Sequence, residues 1–217
     1  MITAPTRRYA YCRNSVDIYR RSFSIIREEA DLATLPAAAR PIAVRMIHAS
    51  GDVALPELLE ISDLLVPAAR AALQDGAPIF TDSEMLASGI TRSRLAADNE
   101  IHCLLCDPRV PGLAERWGTT RSAAAVSLWG PELGGAVVAI GNAPTALFHL
   151  LERIHDGAPR PSVIIGMPVG FVGSAESKQA LAANPWQLPY AIVRGRRGGS
   201  AMAASAVNAL AQEAEIT

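Results

Sequence analysis

The chain has 217 residues, half of them apolar, enough to bury a core of its own and a better fit to one large domain than to two. A formal charge of -1 excludes the broad positive field that non-specific nucleic-acid binding requires, so any anionic partner must be met by local charge. The longest apolar runs, "GGAVVAI" and "SVIIGMPVGFVG", fall well short of the roughly 18 residues of a membrane span, and the N-terminus lacks the apolar stretch of a signal peptide; the expectation is a soluble, cytoplasmic protein that binds neither nucleic acid nor membrane.

Residues 1 to about 12 carry Arg7, Arg8 and little apolar content, and read as a loose tail on a single domain spanning 1–217. A first helix follows, capped near Asn14 or Ser15, with Val16, Tyr19, Phe23 and Ile26 at spacings of three and four along one face. The next helix contains "RMIHASGD". Its start is open between Pro36 and Pro41, both suited to a first turn; Pro41 deeper in the helix would kink it, and Gly51 supplies the stop. From residue 78 short apolar runs at 78–81, 101–106, 136–140, 162–166 and 190–194 alternate with helical patterns. One of these is "APTALFHLLERIHDG", where Leu147, Leu150, Leu151 and Ile154 form a stripe. Continuously apolar strands alternating with helices predict the α/β class: a three-layer α/β/α sandwich with a mostly parallel sheet of about five strands.

In such sheets ligands bind beyond the carboxyl ends of the strands, where loops lead into helix N-termini. Three of these junctions are rich in small residues: "AIGNAPT" with Asn142, "GMPVGFVGSAESK" with Lys178, and "RGRRGGSA" with Arg194, Arg196, Arg197, Gly198, Gly199 and Ser200. Each offers backbone N–H groups and a helix dipole to an anion. None has the G-x-G-x-x-G or P-loop spacing of a nucleotide site. Nineteen of the twenty basic residues are arginine, the bias of a GC-rich genome, so the single lysine, Lys178, reads as a site that needs a compact point charge.

Three cysteines are too few for a disulfide framework. Cys103 and Cys106 spell C-x-x-C, but on a buried strand residues three apart face opposite ways, so they read as small core thiols rather than a redox or metal pair. No metal, paired-carboxylate or nucleophile-elbow signature appears. Of the four histidines, His102, His149 and His155 read as structural. His48 differs: Arg45 lies three residues before it on the same helix face, close to the helix end, although a lone histidine on an apolar face is more often a core residue.

Seven stretches, "RSFSIIREEADL", "RMIHASGD", "GAPIFTDSEMLASGITRSRL", "TTRSAAA", "AIGNAPTALFHLLE", "GMPVGFVGSAESK" and "GRRGGSAMAASAVNAL", run in order from about Tyr19 to Leu210. They resemble the precorrin-8X methylmutase family of cobalamin biosynthesis. Ser50, where relatives often carry cysteine or threonine, is the main departure and adjoins the motif histidine without replacing it. The resemblance implies an isomerase that moves a methyl group between adjacent ring-C carbons of a corrinoid by a 1,5-sigmatropic shift, giving hydrogenobyrinate or its cobalt analogue, with no cofactor or metal. It also implies a homodimer with active sites near the subunit contact, and transfer of the corrinoid to or from neighbouring pathway enzymes. His48 would protonate, or hydrogen-bond to, the ring-C nitrogen, and Ser22 and Arg45 match positions that touch the substrate. A flat apolar macrocycle rimmed by carboxylates also suits distributed cations, here Arg45, Arg121, Lys178, Arg194, Arg196 and Arg197, with Asn142, Gly198, Gly199 and Ser200 at the glycine-rich helix starts. Two other classes use some of the same features: a carrier that holds a corrinoid without transforming it, and a phosphate- or nucleotide-dependent transferase, against which the missing nucleotide signatures count.

Overall fold

A computed structural model describes residues 1–7, 9–212 and 214. Along the chain, α1 (Ser15–Glu29) and α2 (Arg40–Ser50) precede β1 (Leu59–Ile61) and α3 (Leu65–Gln74). There follow β2 (Ile79–Thr81), α4 (Glu84–Gly89), β3 (Ile101–Cys103), α5 (Val110–Trp117) and α6 (Arg121–Val126). The last third holds β4 (Val137–Ile140), α7 (Pro144–His155), β5 (Val163–Gly166), α8 (Ser174–Ala182), β6 (Tyr190–Val193) and α9 (Ser200–Ala211).

The strands form one six-stranded sheet in the order β1-β6-β5-β4-β2-β3. Every neighbouring pair is parallel except β1 with β6 at the edge, where Leu59 stands opposite Val193. All five expected strands are present. The sixth, β1, is not among the expected strands: Glu60 interrupts its apolar residues, and it pairs only at the sheet edge.

Side chains alternate across the sheet as a period of two requires, and this builds two cores. Val137, Ala139, Val163, Ile165, Ala191 and Val193 face a layer of α1, α2, α3, α4 and α9. Val138, Ile140, Ile164 and Ile192 face α7 and α8. Helix α9 is buried nearly all round because Ala203, Ala204, Ala206 and Ala209 are small enough for α2, α3 and α4 to pack closely on it.

Local signals account for the helix ends. The Asn14 side chain accepts hydrogen bonds from the N–H groups of Val16 and Asp17 and so caps α1. Both candidate prolines are used: Pro36 leads into a 3-10 turn, Ala37–Ala39, and Pro41 sits in the first turn of α2, where it lacks only a hydrogen bond that the helix would not have made. Gly51 ends α2 in the left-handed conformation, φ 69°, with its N–H donating to the Ile47 carbonyl at 2.7 Å.

Two expectations are corrected. Only Phe23 and Ile26 of the α1 stripe are buried; Val16 and Tyr19 are exposed, because the N-terminal half of the helix extends past the core. Strand β3 stops at Cys103, and Cys106 lies in an exposed turn, so the opposite-face argument does not apply and Cys106 is not a core thiol.

Candidate active site

The packing of α1 on α2 brings three of the expected residues together. The Ser22 hydroxyl lies 2.8 Å from Nδ1 of His48. The His48 ring is held between two aromatic rings: Tyr19 at 5.2 Å, tilted 38°, and Phe23 at 5.2 Å, edge-on at 80°. The Arg45 guanidinium stands 5.8 Å over the other partner of this cluster, the Phe23 ring, in cation–π geometry. Partial burial, and then the positive charge of Arg45, push the His48 pKa below the ordinary histidine value. The imidazole is therefore neutral at pH 7, with one nitrogen engaged by Ser22. At the end of the same helix Ser50 donates to the Met46 carbonyl at 2.9 Å, a local cap that a threonine could also make.

At the strand ends, the sheet order reverses between β2 and β4, since β2 leads outward to β3 while β4 begins on its other side. The helices that follow, α4 and α7, pack on opposite faces, which opens the crevice where α/β proteins bind ligands. Here Asp82 fills it. Its carboxylate, 4% exposed, accepts hydrogen bonds from the N–H groups of Gly141, Asn142 and Ala143 at 2.9, 2.9 and 2.6 Å. Burial pushes its pKa up while the three N–H groups pull it down. The junction expected to hold a substrate anion is thus occupied by the chain's own carboxylate; the exposed Asn142 side chain remains at its rim.

A second divergence lies between β5 and β6, whose following helices α8 and α9 also pack on opposite faces. Lys178 sits there rather than at the surface. Its side chain is 1% exposed, and its ammonium donates to the carbonyls of Pro168 at 3.1 Å and Arg197 at 2.7 Å. Burial lowers its pKa to about 8. This corrects the expectation of a cation offered directly to substrate.

The rest of the basic loop is partly committed as well. Arg194 pairs with Glu60 at 2.7 Å. Arg197 reaches Asp52 at 2.8 Å, which ties its loop to the segment just after His48. Arg196 lies over the Phe171 ring at 5.1 Å, and both are exposed. The Gly199 N–H donates to the Met167 carbonyl at 2.9 Å, and the Ser200 hydroxyl lies 3.0 Å from that of Ser83, so neither is an open anion ligand. A Cβ on Gly198 would stand 2.3 Å from the Met167 carbonyl oxygen, so only glycine allows the two loops to meet. Arg121, exposed, opens α6, whose Thr120 cap bonds to Thr145 of α7 at 2.8 Å; it therefore borders the same corner as Asn142.

Sequence reasoning missed Asp82, although an acid between a strand and the Ser83 cap of α4 was a readable signal. It also read Tyr19 as core, with nothing local to show that it flanks His48. The other histidines have structural settings: His102 stacks on Phe80 at 5.1 Å, His149 bonds to the Ser127 hydroxyl at 2.7 Å, and His155 meets Trp186 edge-on at 6.5 Å. Burial pushes the Cys103 thiol up to about 11, far from a reactive thiolate.

A family model described as precorrin-8X methylmutase matches residues 17–213. A precorrin-8X methylmutase of Sinorhizobium sp. is 58% identical over 94% of this chain and 97% of its own length. One from Pseudomonas aeruginosa is 56% identical over 94% and 99%. The crystal structure of precorrin-8X methyl mutase from Thermus thermophilus superposes with a TM-score of 0.82 at 40% identity, over 91% of this chain and 95% of that one. With the histidine motif, the glycine-rich strand ends and the sheet order all in hand, the chain belongs to the precorrin-8X methylmutase family.

Proposed function

We propose that this chain is a precorrin-8X methylmutase, an isomerase that transfers a methyl group between adjacent ring-C carbons of the corrinoid by a 1,5-sigmatropic shift to give hydrogenobyrinate. The observation that carries the reading is the Ser22–His48–Arg45 cluster on a chain of this family. With Nδ1 facing the Ser22 hydroxyl, Nε2 is the nitrogen left for the substrate. As a neutral imidazole it donates a hydrogen bond to the ring-C nitrogen, and only the imidazolium would transfer a proton; either draws electron density from the conjugated system as the methyl migrates. The shift is intramolecular, so atoms balance with no co-reactant. Arg45, Arg196 and Arg197 meet the peripheral carboxylates, and Arg121 with the Asn142 side chain extends that rim. A homodimer is supported by the exposed apolar residues of α1, Val16, Ile18, Tyr19 and Ile25. Purified protein mixed with precorrin-8X should convert its visible spectrum to that of hydrogenobyrinate. Binding without conversion would make the chain a carrier, and absence of binding would end the reading.

A further inference from the structure

The Lys178 ammonium is a buried charge that the proposed mechanism does not use. It occupies the point where the loops after β5 and β6 part toward opposite faces of the sheet, and it donates to one carbonyl from each, Pro168 and Arg197. The same two loops are joined on either side of it. The Gly199 N–H donates to Met167 at 2.9 Å and the Gly170 N–H to Arg196 at 3.2 Å. Beyond this seam the side chains of Arg196 and Arg197 emerge at the surface. A point charge with three donors fits between two converging carbonyls, where a planar guanidinium would force them apart. That accounts for one lysine in a chain whose other nineteen basic residues are arginine.

We propose that Lys178 is a positioning residue for the substrate's carboxylates: without touching them, its ammonium holds the 194–199 loop against the end of β5 so that Arg196 and Arg197 reach the rim of the macrocycle. The inference rests on the methylmutase reading for its ligand but not for its chemistry, so it is tested by binding. Hydrogenobyrinate is titrated into the full chain as wild type, Lys178→Met, Arg196→Ala/Arg197→Ala and the triple variant, with the melting temperature measured on each preparation. Lys178→Met should weaken binding about tenfold, as loss of a charged donor to backbone carbonyls releases the loop. In the background lacking both arginines the same change should alter Kd by no more than about twofold, because residues acting in series are non-additive. An unchanged Kd with a lowered melting temperature would leave Lys178 a purely structural residue and overturn the proposal. An equal loss in both backgrounds would also overturn it, since Lys178 would then act without the arginines. Lys178→Gln, which keeps N–H donors without the charge, should weaken binding less and serves if the methionine variant does not fold; wild-type affinity in it would count against the charge. Failure of the wild type itself to bind hydrogenobyrinate would strike the functional reading, before any variant is compared.

Discussion

His48 is set up chemically by four neighbours that do different things. Ser22 fixes the ring orientation through Nδ1, Tyr19 and Phe23 flank the ring and restrict its rotation, and Arg45 adds to the effect of partial burial in lowering its pKa. A group acting on the migrating methyl's ring works in the transition state more than in the ground state. His48→Ala should therefore lower single-turnover rates by roughly 10²–10⁴-fold, about 3–5 kcal/mol of barrier, with corrinoid affinity nearly intact. A normal rate per folded subunit would end the catalytic assignment of His48. Ser22→Ala removes one neutral hydrogen bond and should cost about tenfold or less. The pH profile gives an independent check. Burial is the larger cause of the His48 shift and Arg45 the smaller, and both disfavour the imidazolium, so the wild-type inflection in turnover falls below the ordinary value of about 6.5. Arg45→Met removes only the second cause, so the inflection should move part of the way back up. An inflection that stays in place would mean that a different group titrates.

At the scale of elements, the glycine-rich strand ends are seams rather than open anion nests. The N–H groups after β4 are taken by Asp82, and the loop after β6 is locked to the end of β5 through Gly198, Gly199 and Lys178. Sequence spacing showed correctly that these loops gather at one end of the sheet. It could not show that their hydrogen-bonding groups are satisfied from within, because Asp82 lies some sixty residues from its partners and only the register of β2 beside β4 brings it there. The seam at Gly198 can be tested by stability. Gly198→Ala places a Cβ against two backbone carbonyl oxygens that cannot rotate away, and should destabilise the fold by about 2–3 kcal/mol in urea unfolding. Gly195→Ala, at φ 73° in open space, meets only the left-handed backbone penalty and should lose about 1 kcal/mol. Equal losses would show that close approach is not what Gly198 provides.

For the whole molecule, α1 is anchored by only two buried residues, Phe23 and Ile26, and most of its length is exposed. Ile18 and Ile25, seven residues apart, share an exposed face, while Phe23 and Ile26 on another face anchor the helix to the core. In the proposed homodimer the exposed row is covered by a second copy. Ile18→Asp with Ile25→Asp should then shift sedimentation from dimer to monomer at micromolar concentration while the melting curve keeps its cooperative form. A dimer that persists in the double variant would place the contact elsewhere. The sequence by itself determined the α/β class, five of the six strands, the helix ends near Asn14 and at Gly51, and Arg45 on the helix face of His48. These follow from periodicities of two and 3.6 and from turn chemistry, which act over a few residues. Only the tertiary structure decided that Lys178 is buried, that Asp82 closes the crevice between β2 and β4, that Tyr19 stands beside His48 and that a three-residue strand completes the sheet. Each of those depends on which distant segments pack together, and long-range packing sets the partners of a charged or aromatic side chain in ways that its sequence neighbours do not encode.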